Sequence, residues 1–358
     1  MAPDADAVPA VARPATVTDA LDLVRRLPKV ELHVHVEGTL EAELMLSLAR
    51  RNGVHTRFHD VAQVHRALAF DDLQSFLDLY YEQTQVLQTR QDFFDLTQAY
   101  LTRVHRDGVR HVEVFFDPQS HTSRGIAFAD VVDGISGALE HVGRDNLGIS
   151  CELIMCFLRH RSEADAFDTL EQALPHRDRI HGVGLDSSEV GNPPGKFSRV
   201  FAAAHRHGFW AVAHAGEEGP PDYIWQALEL GVRRIDHGVR CLEDEALVER
   251  LVRDRVPLTV CPLSNVRLRV FPDLAHHNLR RMLERGLVVT VNSDDPAYFG
   301  GYIGDVLTRT VESLELGPDE VLQLAGNAVE AAVLDDSRRR ELLAQLRRCA
   351  SMPAPSVA

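Results

Sequence analysis

Residues 31–40 read ELHVHVEGTL, with two histidines one residue apart inside an otherwise apolar, β-branched run. On a strand successive side chains alternate between faces, so His33 and His35 project from the same face about 6.6–7 Å apart along the chain. A single buried histidine is readily satisfied by a backbone carbonyl. Two on one face leave several ring nitrogens to satisfy, and neutral imidazole is the commonest metal ligand. The pair therefore raises the question of a metal centre, which other donors must answer.

Three later segments supply candidates. AHAGEEG brings His214 and Glu217, IDHGVR brings His237, and VNSDDPAYFG brings Asp294 and Asp295. A strand-end Asp is commonly a helix N-cap or turn residue, and Glu218 and Asp236 read as surface or capping residues of that kind. His33, His35, His214 and Asp294 nevertheless form a hard-donor set that suits catalytic Zn²⁺ or a similar divalent ion. Glu217 lies in the loop beyond His214, close to such an ion without having to bind it, and is a candidate general acid or base. His237 and Asp295 are placed to contact a water at the ion.

Residues so far apart in sequence need a scaffold that gathers strand ends. Short β-like runs alternate with amphipathic helical segments, at 30–36, 111–116, 150–157, 182–186, 209–214, 234–237, 257–261 and 288–293. Eight strands with crossover helices over about 300 residues match a closed (β/α)₈ barrel, whose active sites lie at the C-terminal strand ends. The candidate residues fall at such ends. The long gap after the first strand contains DLQSFLDLYYEQTQVL and RQDFFDLTQAYLTRVH, which predict a helical insertion over the barrel top. Helices are also predicted after the eighth strand. One domain is expected over 17–345, with flexible tails at 1–16 and 346–358.

Composition narrows the partners. A net charge of −15 disfavours a nucleic-acid polymer and fits a small neutral substrate. No apolar run reaches the roughly 18 residues of a membrane span, and the Ala- and Pro-rich start lacks signal-peptide character. Five cysteines without CxxC spacing suit a reducing cytoplasm. The chain has only two lysines, Lys29 and Lys196, and neither lies at the end of the fourth strand. Binuclear barrel hydrolases generally bridge their metals with a lysine there, so a single metal is expected.

The segments PKVELHVHVEGTL, HAGEEG, RIDHGVR, CPLSNV and NSDDPAYFG, in that order, resemble the signatures of the adenosine/adenine deaminase family. The resemblance spans roughly residues 28–340. It implies a single (β/α)₈ TIM-type barrel of the metal-dependent hydrolase kind, with one Zn²⁺ held by His33, His35, His214 and Asp294. It also implies Glu217 as proton donor and His237 and Asp295 acting on the attacking water. Nucleoside-specific members usually carry Asp after the second histidine and a Gly-containing turn after the fourth strand. Here stand Glu37 and GLDSSEVGNPPGKF, and FFDPQSHTSRG follows the second strand. These variants resemble the bacterial and fungal enzymes that take free adenine, releasing hypoxanthine and ammonia.

Adenine differs from adenosine in carrying a proton rather than ribose at N9. Glu189, with Ser188, is therefore expected to accept a hydrogen bond from the imidazole edge of the base and to block the space for ribose, with Asp295 and Glu37 as further substrate contacts. Loop capping or pairing with Arg199 is the competing expectation for Glu189. At the level of function, a deaminase of adenosine or another 6-aminopurine and a catalytically dead purine-binding scaffold are the alternatives. A homodimer is compatible with the exposed side of a barrel.

Overall fold

The computed structural model describes residues 16–144 and 148–352. Among them nine strands occur: β1 (Lys29–His35), β2 (Val109–Phe116), β3 (Ser150–Leu158), β4 (Gly182–Asp186), β5 (Trp210–Ala211), β6 (Ala213–Ala215), β7 (Ile235–His237), β8 (Pro257–Val260) and β9 (Val288–Val291). β1 to β5 pair in sequence order, as do β6 to β9, and the pairings are parallel. The expected fifth strand, 209–214, is interrupted at Val212, whose N–H still reaches Val183 O on β4 at 3.0 Å. β5 and β6 thus act as one stave.

The last stave returns to the first through Asp294. Its N–H donates to His33 O at 3.1 Å, and its carbonyl accepts from His35 N at 3.0 Å. Eight parallel staves joined in this way form the TIM-type α/β barrel.

β2 shows how the ring divides its side chains. Val112, Val114 and Phe116 belong to the large apolar core shared with the helices, whereas Phe115 joins Ile154, Cys156 and Val212 in a small separate cluster. Much of what remains between the strands is charged. Arg234, fully buried, donates to Glu113 on β2, to Asp236 at 3.1 Å and to Leu32 O on β1 at 2.6 Å. Burial alone would raise Glu113, but Arg234 together with His111 and the Val333 N–H outweighs it and brings the carboxyl down to about 2.

Between β1 and β2 lie the helices Leu73–Gln83 and Arg90–Arg106, in the two segments whose apolar spacing predicts them. Each starts at a capping box, Asp72 with Ser75 and Thr89 with Asp92, which satisfies otherwise orphaned N–H groups. Leu73, Phe76, Leu77 and Tyr80 of the first helix line a cavity at the C-terminal strand ends, so the insertion roofs the barrel mouth.

Helices Ile303–Leu314, Pro318–Ala331 and Asp336–Ser351 complete the described chain. The last one corrects the expected tail: it buries Leu342 and Leu346, and its helical pattern continues through Ser351. The expected tails at 1–15 and 353–358 lie outside the described residues. Among the described residues no helix is long and apolar enough to cross a membrane.

The buried charge network generates a stability prediction. Glu113→Gln removes one of the two buried counter-charges of Arg234, leaving only Asp236, and is expected to destabilise the fold by about 3–5 kcal/mol. Urea denaturation measures it. Arg25→Gln, which breaks the exposed Asp22–Arg25 pair, is expected to leave the midpoint nearly unchanged.

Candidate active site

Donor atoms of His33, His35, His214 and Asp294 all lie within 4.8 Å of one another, and all four side chains are buried. His33 Nε2 and His35 Nε2 stand 3.2 and 3.5 Å from Asp294 Oδ1, and His35 Nε2 is 3.1 Å from His214 Nε2. His33 Nε2 has no hydrogen-bond partner in the protein. Imidazole nitrogens and a carboxylate converging on one point, one of them orphaned, fit a divalent cation.

Protonation favours the same use. Burial holds His35 below its ordinary value, and burial reinforced by His33 holds His214 well below it, so both keep free lone pairs at neutral pH. Burial works against the charge of Asp294, but the adjacent His33 outweighs it and keeps the carboxylate ionised. A second, overlapping set combines His33, His237, Cys261 and Asp294. Burial, followed by the charge of Asp294, raises the Cys261 thiol well above its ordinary value, which leaves it a poor ligand.

Each imidazole is also held from behind. His33 Nδ1 meets Thr259 Oγ1 at 3.0 Å, and that hydroxyl donates to Asp236 Oδ1 at 2.8 Å. His214 Nδ1 lies 3.8 Å from Asp236 Oδ2, and His35 Nδ1 lies 3.6 Å from Asp186 Oδ2. The Phe115 ring packs against His33 and His35 at centroid distances of 5.0 Å and against His214 at 5.5 Å. Beside Asp294, the Glu31 carboxylate accepts from both the N–H and the hydroxyl of Ser293, and from Tyr100 OH at 2.6 Å. The Thr259 bond orients the His33 ring, while the carboxylates of Asp186 and Asp236 face His35 and His214 from beyond hydrogen-bond distance. Asp294 (φ 66°) and His237 (φ 65°) occupy the left-handed region, a strained conformation for non-glycine residues.

Glu217 sits just beyond β6, with Oε2 3.6 Å from His237 Nε2, which in turn is 3.8 Å from Asp294 Oδ2. Burial, then the negative charges of Asp294 and Glu189, push Glu217 well above the usual carboxylate range. Burial brings His237 down to about 3. The site therefore sets a neutral carboxylic acid beside a neutral imidazole. Asp295 begins the helix Pro296–Phe299, yet its side chain makes no capping bond. It can approach because residue 38 is glycine: a Cβ there would stand 1.9 Å from Asp295 Oδ1. His35, His214, Glu217, His237, Asp294 and Asp295 share one cavity with apolar walls from Leu73, Phe76, Leu77, Leu268 and Phe299.

Three substrate expectations need correction. Glu189 does not face the cavity with free oxygens: its carboxylate accepts from the N–H groups of Gly216, Glu217, Glu218 and Gly219 at 2.7–3.1 Å. Four converging amides hold its two oxygens, and it is not among the residues that line the cavity, so it anchors the loop that carries Glu217. Arg199 pairs with Glu163 instead. The Ser188 hydroxyl donates to Gln74 at 2.7 Å. Glu37 is buried behind the cavity wall, where Oε1 accepts from Asp117 N at 3.1 Å and meets His121 Nε2 at 2.8 Å.

Other residues at the site escape a reading by sequence. Asp236, taken for a surface or capping residue, is fully buried between His214, Thr259 and Arg234. Arg159, also fully buried, donates to the carbonyl of His214 at 2.7 Å and stands 4.0 Å from Glu189. Asp117 and Asp186 line the cavity from the ends of β2 and β4. Their signal was a carboxylate at a predicted strand end, the same signal that singles out Asp294.

Known proteins share this architecture and sequence. The adenosine deaminase family model matches residues 28–349. An adenine deaminase of Trichlorobacter lovleyi is 57% identical over 316 residues, 88% of this chain and 90% of that protein. One from Cupriavidus necator is 55% identical over 343 residues, 95% of this chain and 97% of that protein. The crystal structure of an adenine deaminase from Arthrobacter aurescens superposes with a TM-score of 0.89 at 50% identity, covering 91% of this chain and all of the other. With the match running from the residue before Lys29 into the last helix, the chain belongs to the adenosine deaminase family.

Proposed function

We propose that the protein hydrolyses adenine to hypoxanthine and ammonia, with one Zn²⁺ per chain. One observation carries the substrate: along nearly its whole length the chain is 52–57% identical to proteins named adenine deaminase. The site supplies a physical route. His33, His35, His214 and Asp294 would hold the ion. When bound, it lowers the pKa of a water so that a nucleophile exists at neutral pH.

The remaining steps belong to side chains. The amino group at C6 leaves an aromatic ring reluctantly unless the ring is drained of electrons. Glu217, kept neutral by burial and neighbouring carboxylates, donates its proton at N1 and so makes C6 electrophilic. His237, neutral at pH 7, and Asp295, held by its fit against Gly38, orient the attacking water and take up its proton. A C–O bond forms at C6; the proton taken from the water passes to the amino nitrogen as the C6–N bond breaks and ammonia leaves, and the hydroxyl proton of the adduct restores Glu217 as the product carbonyl forms. The apolar walls exclude bulk water from the reacting edge. The five unpaired cysteines suit purine salvage in a reducing compartment such as the cytoplasm.

An ammonia-release panel of adenine, adenosine, deoxyadenosine and N6-substituted purines is the direct test. The highest kcat/KM is expected for adenine, and a higher value for adenosine would reject the substrate. Chelation should abolish activity and Zn²⁺ restore it at about one ion per chain. Two tightly bound ions would contradict the mononuclear site. His33→Ala should lower metal content and activity together. Glu217→Gln should retain the metal yet lose about 10²–10⁴ in kcat, the range expected for a general acid; full activity would mean that another group protonates N1.

A further inference from the structure

The proposed chemistry asks Glu217 to meet one ring nitrogen, which makes the direction of its carboxyl decisive. No hydrogen bond from a described residue holds that carboxyl, whose Oε2 stands 3.6 Å from His237 Nε2. Its aim is set by the main chain beneath it. Residues 216–220 carry it between β6 and the helix Pro221–Glu229. So short a loop has neither ladder nor helix to take its N–H groups, and burying them unpaired is costly.

Glu189, in the loop after β4, takes four of them in a row. Its Oε1 accepts from Gly216 N at 2.7 Å, and its Oε2 from the N–H groups of Glu217, Glu218 and Gly219 at 3.1, 2.8 and 2.7 Å. Arg240 holds the other side of the loop: its N–H donates to Gly216 O at 3.0 Å and its guanidinium to Glu218 O. Glu189 is buried and is not among the residues that line the cavity, so it acts on the substrate through the loop. Its own mount is fixed. Asn192 N donates to Glu189 O at 3.0 Å, while Arg159 donates to Asn192 O at 2.8 Å and to His214 O at 2.7 Å. One buried arginine thus ties the loop of Glu189 to the strand of a candidate ligand.

We propose that Glu189 is the positioning residue of the proton donor: through four main-chain N–H groups it fixes where the Glu217 carboxyl points. The inference rests on the deaminase reading above, in which Glu217 protonates N1. A misplacement of about 1 Å at a reacting group costs about 10² in rate, even when its cause lies away from the chemistry. Glu189 contributes no contact to the base. Its loss therefore falls on the chemical step and leaves binding of the purine in place, and it has nothing left to act on once Glu217 no longer carries a proton.

The test is a double-mutant cycle on adenine deamination, with metal content and hypoxanthine affinity by calorimetry measured for every variant. Glu189→Gln keeps the size of the side chain but turns an NH₂ group toward N–H groups. It should lower kcat by about 10² while KM, metal content and hypoxanthine affinity stay near those of the parent. Glu189→Asp, which keeps both oxygens, should regain part of the loss. In a Glu217→Gln background the same Glu189→Gln change should lower kcat by less than about threefold, because residues that act as a unit are not additive. An equal loss in both backgrounds would overturn the proposal, as would an unchanged kcat in Glu189→Gln. If Glu189→Gln does not fold, Gly219→Ala decides: its Cβ would stand 2.6 Å from Glu189 Oε1, and a kcat loss that persists in the Glu217→Gln background, or no loss at all, overturns the proposal as well. A parent that deaminates a different 6-aminopurine would reject adenine as substrate, and the cycle run on that purine would still decide the role of Glu189. An inactive parent would reject the deaminase reading and this proposal with it.

Discussion

The two backbone hydrogen bonds between Asp294 and β1 carry more of this structure than any other contact. They join the last stave to the first, and the residues they join, His33, His35 and Asp294, are three of the four candidate ligands. Closing the ring and assembling the site are therefore a single event. Asp294 holds a left-handed backbone to do it. The strain is opposed from the next residue, where Glu31 grips both polar groups of Ser293. Contacts spanning some 260 residues must form before any ligand set exists, an arrangement of high contact order.

A second constraint is charge in a dry interior. Burying four imidazoles and several carboxylates is costly unless they find partners. The answer is a chain of contacts running from His33 through Thr259 and Asp236 to Arg234, and on to Glu113. The same arginine reaches a carbonyl of β1. Stability and ligand orientation consequently draw on the same atoms. Glu217 lacks such support: it is buried among negative charges with no cation in contact, which keeps its proton in place.

How much of this is legible in the sequence depends on the kind of interaction. Strands and ligand residues follow from alternation, so His33, His35, His214 and Asp294 stand out by type and position, and structure brings them together. The interruption at Val212 leaves no trace in composition, because the apolar run continues through it. Asp236 was misread because a carboxylate beside a glycine-containing turn looks like a cap, and only three-dimensional packing reveals the arginine behind it. Glu189 was misread for a different reason. Its partners are main-chain N–H groups, which every residue but proline possesses, so no residue type announces them. Asp117 was overlooked because Asp-Pro at a strand end is the usual start of a helix, and only its place in the cavity wall says otherwise.

The clamp of Glu189 on residues 216–219 has a consequence for how such enzymes diverge. The loop after β4 and the loop after β6 are not separate modules, since a single carboxylate from one shapes four peptide groups of the other. Gly219 is part of the bargain, because a Cβ there would stand 2.6 Å from Glu189 Oε1. Exchanging the first loop for one without the carboxylate releases the loop that carries the proton donor, and exchanging the second leaves a carboxylate buried without donors. Mutational routes that alter either loop therefore cross a valley unless both change together, and residues 189 and 219 should co-vary across the family as one inherited unit.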